Sequence, residues 1–191
     1  RIFLADDLAN GAGYATHLGR KEVFSEVLRK IGEKNSNGEW ALDSLAHEYE
    51  LDAHASDCLA SCPDCLRSYD NRYLHPALDW RLALDVAELA RDYELDISRW
   101  LKLSQRLSKG ITDSLEGFEI QETGSLIAIC NQSNKTAAVM SHPLWSVDNA
   151  KYNNTQTSAV QDLQSKGFDT VHFLDVWRLS RRPDEIVRVL A

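Results

Sequence analysis

The sequence predicts an α+β chain, mostly helical over about residues 1–114 and mixed α/β over about 115–191. Three observations predict it. Through the first part, apolar residues recur at three- and four-residue intervals, the period of a helix with one buried face. Past Leu115 the pattern turns to short apolar or alternating runs bounded by glycine and polar residues, the mark of strands. The 191 residues are 43% hydrophobic, enough to bury a core at this length.

Taken in order, "RIFLAD" is a short apolar run that reads as a strand. "NGAG", Asn10 to Gly13, supplies a turn, because glycine accepts backbone angles that other residues resist. Val23, Val27, Leu28 and Ile31 carry helical spacing through a segment from Tyr14 to about Ile31. "GEKNSNGEW" is a loop, and about Leu42 to Tyr49 a second helix. Pro76 suits the first turn of a long helix, "PALDWRLALDVAELARDYEL", with Leu78, Leu82, Val86 and Leu89 along one face. Ile97 to about Leu115 is a further helix. "FEIQET" and "SLIAICN" read as strands around Thr123-Gly124, and "KTAAVMSH" as a third. "TQTSAVQDLQSKG" is a helix closing on Gly167. "TVHFLD" is a strand, and "RPDEIVRVL" a final helix with Pro183, Asp184 and Glu185 in its first turn.

No apolar run approaches the ~18–20 residues needed to span a bilayer, and no secretory leader precedes the first acids. The chain opens on Arg1 rather than Met, so a fragment of a longer, cytoplasmic protein is expected. The formal net charge of −8 argues against an autonomous, high-affinity nucleic-acid binder, which carries a basic surface, but leaves room for a local basic patch.

Three of the four cysteines, Cys58, Cys62 and Cys65, fall in one short loop with the spacing Cys-x3-Cys-x2-Cys. The Cys-x2-Cys half places two sulfurs on one tight turn, within reach of a single tetrahedral Zn²⁺, and Pro63 stiffens that turn. A closed structural site needs a fourth ligand. His54 stands four residues before Cys58 and shares its face if that piece is helical. His75, ten residues after Cys65, is the second candidate, ahead of Asp57 and Cys130. A redox pair at Cys62 and Cys65 fits less well, because a thioredoxin-type motif opens a helix in a βαβ context and has no third cysteine beside it. No deaminase or protease pattern accompanies the acids nearby, so the expected zinc is structural rather than catalytic.

"CLASCPDCLRSYDNRYLHPALDWRLAL" resembles the C-terminal, MrfA-type zinc-binding domain of many DEAD/DEAH-box (superfamily 2) helicases. That family runs from a cysteine cluster ending in Cys-Leu through Tyr-x-Asn and a histidine to Leu-Asp-Arg at a helix start. Here stand Cys65-Leu66, Tyr69-Asp70-Asn71, His75 and Leu78-Asp79-Trp80-Arg81. Upstream, "LADDLANGAGYATHL" is similar to the family's Asp, Gly-Gly-x-Gly-Tyr segment, with Asp7, Asn10, Gly11, Gly13 and Tyr14 in those places. The resemblance spans about residues 1–92. Three clustered cysteines stand where members often have four, and Trp80 stands where Arg is common. The resemblance implies a noncatalytic accessory module that braces the helicase motor upstream in the same chain and lies along translocating DNA, in DNA repair or anti-phage defence. No Gly-x4-Gly-Lys-Ser/Thr loop occurs, so ATP hydrolysis by the P-loop route is not expected of this chain. The competing class is an interaction module that recruits a partner protein without DNA contact.

Arg67, Arg72 and Arg81 flank the cysteine loop, with Tyr69 and Tyr73 interleaved. Arginine for phosphate and tyrosine for base stacking suit single-stranded DNA, with Arg67, Arg72 and Tyr73 the candidate contacts. The alternative has both tyrosines packed under the loop and Arg67 paired with Asp64 or Asp70. Gly11 and Gly13 fall short of a phosphate-binding glycine loop and read as a tight turn. Arg178, Arg181 and Arg182 form a second basic cluster, read as ordinary surface. Neither a His-x-Lys pair nor an acid followed by Asp/Glu-x-Lys occurs in the second part, so a nuclease is not expected there.

Overall fold

A computed structural model describes Gly11 and residues 13–95 and 97–190. The expected strand "RIFLAD" and the aspartates and Asn10 of the upstream similarity lie outside the described residues. The fold is α+β, and the chain divides into two compact units, Arg1–Leu95 and Asp96–Ala191. That division falls ahead of the boundary expected near residue 114.

In the first unit, α1 (Tyr14–Leu18) and α2 (Lys21–Ile31) replace the one helix expected from periodicity. The break is local: Arg20 takes extended angles, φ −73° and ψ 131°, and so caps α2 rather than continuing α1. The "GEKNSNGEW" loop doubles back through Gly38 at φ +82°, in the region that favours glycine, and pairs Lys34 with Trp40 in an antiparallel bridge. Helices α3 (Leu45–Glu50) and α4 (Asp52–Asp57) follow, and Ser44 caps α3 by accepting from the His47 N–H. After the cysteine loop, Pro76 sits in a 3-10 turn, Arg72–Ala77, not in the next α-helix. Helix α5 (Trp80–Ala90) begins later, capped by Asp79, whose carboxylate accepts from the Arg81 N–H. Its buried face is Trp80, Leu84 and Ala87 with Arg81, Asp85 and Glu88, while Leu89 is exposed. The expected stripe of Leu78, Leu82, Val86 and Leu89 is therefore not the inner one. Polar residues hold inner positions because they are paired: Glu88 takes an ion pair from Lys34 at 2.9 Å, and Arg81 one from Asp79 at 2.9 Å.

In the second unit, α6 (Ser98–Ser114) packs against β1 (Phe118–Thr123) and β2 (Leu126–Asn131), which is why the helix belongs here and not with the helical part. Strands β1, β2 and β3 (Thr136–Ser141) form an antiparallel meander, and β4 (Thr170–Asp175) joins β3 in parallel. Such a parallel return needs a long crossover, and α7 (Asn154–Ser165) supplies it. Leu126, Ala128, Cys130, Ala137 and Val139 form one core with Ala159 and Leu163 of α7, Phe168 and Phe173. The intervening Ile127, Ile129, Ala138 and Met140 are buried too. Both faces of the middle strands are thus covered, and "LIAIC" reads as continuous apolar rather than alternating for that reason. Helices α8 (Val176–Leu179) and α9 (Glu185–Leu190) complete the chain.

Candidate metal centre

The expected short helix before the first cysteine is α4. Cys58 is its C-cap and donates its N–H to the His54 carbonyl at 2.8 Å, so the four-residue spacing brings the His54 ring and the Cys58 thiol to one side. Cys62 and Cys65 close the other side through a turn in which the Cys65 and Arg67 N–H groups donate to the Cys62 carbonyl at 3.2 and 3.0 Å. One ligand atom from each of His54, Cys58, Cys62 and Cys65 lies within 4.8 Å of all the others.

Three of the six edges match those expected around one small ion. Cys58 Sγ is 3.8 Å from Cys65 Sγ, Cys62 Sγ is 3.7 Å from Cys65 Sγ, and Cys62 Sγ is 3.7 Å from His54 Nε2. With metal–sulfur bonds of about 2.3 Å and a metal–nitrogen bond of about 2.0 Å, a regular tetrahedron has edges of about 3.5–3.8 Å. The four atoms are close enough to hold a metal ion, and the set is compatible with zinc. All four cysteines are free thiols, and the spacing within the cluster is far beyond the ~2.05 Å of a disulfide.

The surroundings hold the donors in place. His54 Nδ1 lies 3.0 Å from the Tyr49 carbonyl; as a donor there, it leaves the Nε2 lone pair facing the sulfurs, the usual way a ligating histidine is oriented. The Tyr49 ring stacks on His54 at 5.1 Å, and Trp80 meets it edge-on at 5.5 Å. The Cys62 N–H donates to Cys65 Sγ at 3.1 Å, a contact that favours a thiolate. Ala46, Tyr49, Cys58, Trp80 and Leu84 form the core beneath the loop. The start of α5 grips three successive carbonyls: Trp80 Nε1 donates to Cys58 at 3.1 Å, the Arg81 guanidinium to Leu59, and the Trp80 N–H to Ala60 at 2.9 Å.

Burial pushes the Cys58 thiol up to about 12, reinforced by its sulfur neighbours, and burial likewise raises Cys65. For Cys62, burial is outweighed by its polar contacts with the His54 ring, the Asp64 backbone and the other thiols, which hold it below the ordinary thiol range. The cluster therefore opposes carrying three thiolates unaided, and a divalent cation at its centre is the charge that would balance them.

Of the two histidines expected as fourth ligand, the structure brings His54 to the sulfurs and not His75. His75 Nε2 lies 3.0 Å from both the Ser68 carbonyl and Asn71 Oδ1. Asn71 in turn accepts from the Ser68 N–H at 2.9 Å and donates to the Leu66 carbonyl at 2.8 Å. The Tyr-x-Asn and histidine motif thus pins the segment after Cys65. Cys130 is buried in the sheet core of the second unit, and Asp57 is not in the cluster. The roles of Tyr49 and Trp80 escaped sequence reasoning. Both are apolar-patterned positions, and only the fold sets a carbonyl or an indole against the site.

Around the loop, Tyr69 and Tyr73 are 79% and 76% exposed, which overturns their packing under it. The Arg72 guanidinium lies over the Tyr69 ring at 4.5 Å. Arg67 donates from Nε to Ser61 Oγ at 2.9 Å, so its side chain braces the loop through a hydroxyl rather than through Asp64 or Asp70. Arg81, by contrast, is buried and is not a surface contact.

Compared with protein-family models, curated proteins and solved structures, the chain matches none of them. No described helix is long and apolar enough to cross a membrane.

Proposed function

We propose that this chain is a noncatalytic accessory module of a DEAD/DEAH-type helicase, stabilised by one structural Zn²⁺ on His54, Cys58, Cys62 and Cys65. It braces the upstream motor and touches single-stranded DNA with the surface of the cysteine loop. The observation that carries this reading is the four-donor cluster, three of whose edges have tetrahedral length, inside the same segment whose Asn71, His75 and Asp79–Arg81 motif brackets it. The zinc cross-links α4, the loop and the core below it, work that a domain of this size otherwise leaves to a larger apolar core. Arg72 stacked on Tyr69, with Tyr73 exposed beside them, supports the DNA contact, because arginine and aromatic faces together suit phosphates and unstacked bases.

A second reading, recruitment of a partner protein, is favoured by the exposed Leu59, Tyr69, Tyr73 and Leu74 in the same segment. Titration with a fluorescent oligothymidylate at several salt concentrations separates the two. The helicase reading expects weak binding that falls steeply with salt. It also expects Arg72→Ala with Tyr73→Ala to lose about tenfold in affinity while zinc is retained. Binding that is absent at low salt, or unchanged in the double variant, favours the protein-recruiting surface.

A further inference from the structure

Helix α6 buries Trp100, Ser104, Ser108 and Ile111 in the second compact unit, yet the neighbouring face around Gly110 stays open. Leu107, Gly110, Ser114 and Leu115 of α6, with Pro183 and Val187 beside them from the α9 end, line a groove of about 460 Å³. Most of that wall is apolar, and Gly110 and Val187 are exposed in it. Gly110 is the odd residue. It sits in the interior of a 17-residue helix, where glycine is weaker than alanine because it gives up more backbone freedom on folding. The packing of the chain does not require it: a Cβ at this position would meet no atom within 4 Å. The bare backbone leaves room for another helix to approach α6 closely, since interaxial distance depends on the side chains at the crossing.

The charges beside the groove fit a second copy of the same helix. Arg106 lines the groove one turn before Gly110, and Asp113 follows one turn after it. Seven residues apart, they share one flank of the helix, and both are exposed without an ion pair among the described residues. The other charged residue of the wall, Asp184, is already paired with Arg188 at 2.7 Å. In an antiparallel pair of α6 helices with Gly110 over Gly110, the rise of 1.5 Å per residue puts Arg106 about 6 Å from the two-fold axis and Asp113 of the second copy about 4.5 Å from it, on the same side. Each cation is then level with an anion, and the symmetry repeats the contact. A parallel pair would instead set Arg106 against Arg106 and Asp113 against Asp113, which like charges oppose.

We propose that this groove is a homodimer interface, in which two copies of the chain pack their α6 helices antiparallel across Gly110 and cover each other's Leu107 and Val187. One short groove and two exposed ion pairs make a transient dimer rather than an obligate one. The inference rests on residues that take no part in the metal centre, and it stands or falls separately from the zinc reading.

The test follows the intact chain, as purified, by sedimentation equilibrium from micromolar concentrations to about 1 mM. A reversible monomer–dimer equilibrium is expected. Gly110→Gln places a good helix former where the chain has space, so the monomer should melt no lower while dimerisation weakens about tenfold or more. Arg106→Glu and Asp113→Arg should each weaken dimerisation several-fold, because each sets like charges together. The double variant Arg106→Glu/Asp113→Arg puts opposite charges back in register and should restore it. A chain still monomeric at about 1 mM overturns the proposal. So does a dimer of unchanged affinity in Gly110→Gln, which places the contact on another surface. A double charge reversal that associates no more tightly than the single variants overturns the antiparallel pairing and the proposal with it.

Discussion

At the scale of single residues, the proposed centre needs one histidine as a ligand and the other as a brace. His54→Ala removes a donor atom from a four-atom set, so zinc affinity is expected to fall by more than the ~10–100-fold typical of losing a mere outer-shell partner. His75→Ala removes only hydrogen bonds to Ser68 and Asn71. It should keep its zinc and lose about 1 kcal/mol of stability. Metal content after dialysis, read together with thermal melting, distinguishes the two. The cysteine triplet and His54 were legible in the sequence because local spacing fixes them; His75 was equally near in sequence but turns to the Ser68 carbonyl, a choice that spacing cannot express. A second residue-scale expectation concerns pH. Burial raises the Asp175 carboxyl above its usual range, and the Arg178 and Trp177 N–H groups and the charges of Arg178 and His142 only partly oppose it. A carboxyl raised in the folded state costs stability once ionised. The cost is complete above the folded value and disappears as pH falls below the unfolded value of about 3.9. Asp175→Asn keeps an acceptor for the Trp177 and Arg178 N–H groups, so it should raise the melting temperature at pH 7 and lose that advantage toward pH 3.

At the scale of elements, the strands were the most legible parts. "FEIQET", "LIAICN", "TAAVMS" and "TVHFLD" all form strands, because turn residues bound them and few helical alternatives exist for such short apolar runs. Helix boundaries were less so. Pro76 suited a first turn, but Leu78 is extended at ψ 133°, and Asp79 offers a side-chain cap that proline cannot, so α5 starts at Trp80. The inner face of α5 was misread for a related reason: burial of Arg81 and Glu88 depends on Asp79, Leu59 and Lys34, partners that periodicity does not see. Helix α7 shows the opposite case, with every signal local. Asn153 accepts from the Gln156 N–H at 2.9 Å and its own N–H donates to Gln156 Oε1 at 3.1 Å, a reciprocal cap. Asn153→Ala should cost about 1 kcal/mol, measured by urea unfolding of the second unit's signal. An unchanged midpoint would mean that packing of Ala159 and Leu163 alone holds the helix.

For the whole molecule, the boundary between units was the least legible feature. Composition changes near Leu115, where strands begin, yet α6 is amphipathic and its buried Trp100, Ser104, Ser108 and Ile111 belong to the unit that contains the sheet. A helix's partner is a tertiary fact, and nothing in its own period names the surface that covers it. Two units with separate cores should respond separately to metal loss. Chelation is expected to speed amide exchange in α3, α4 and the start of α5, while Ile129 and Ala138 in the sheet stay protected; loss of protection in both sets together would show a single cooperative unit. The central claim is that one zinc ion sits on three thiolates and His54. X-ray absorption at the zinc edge of the purified, unchelated chain tests it most directly. The account predicts one zinc per chain with three sulfurs at about 2.3 Å and one nitrogen at about 2.0 Å, the nitrogen shell vanishing in His54→Ala. A chain without zinc, or a zinc shell of sulfur alone, would contradict it.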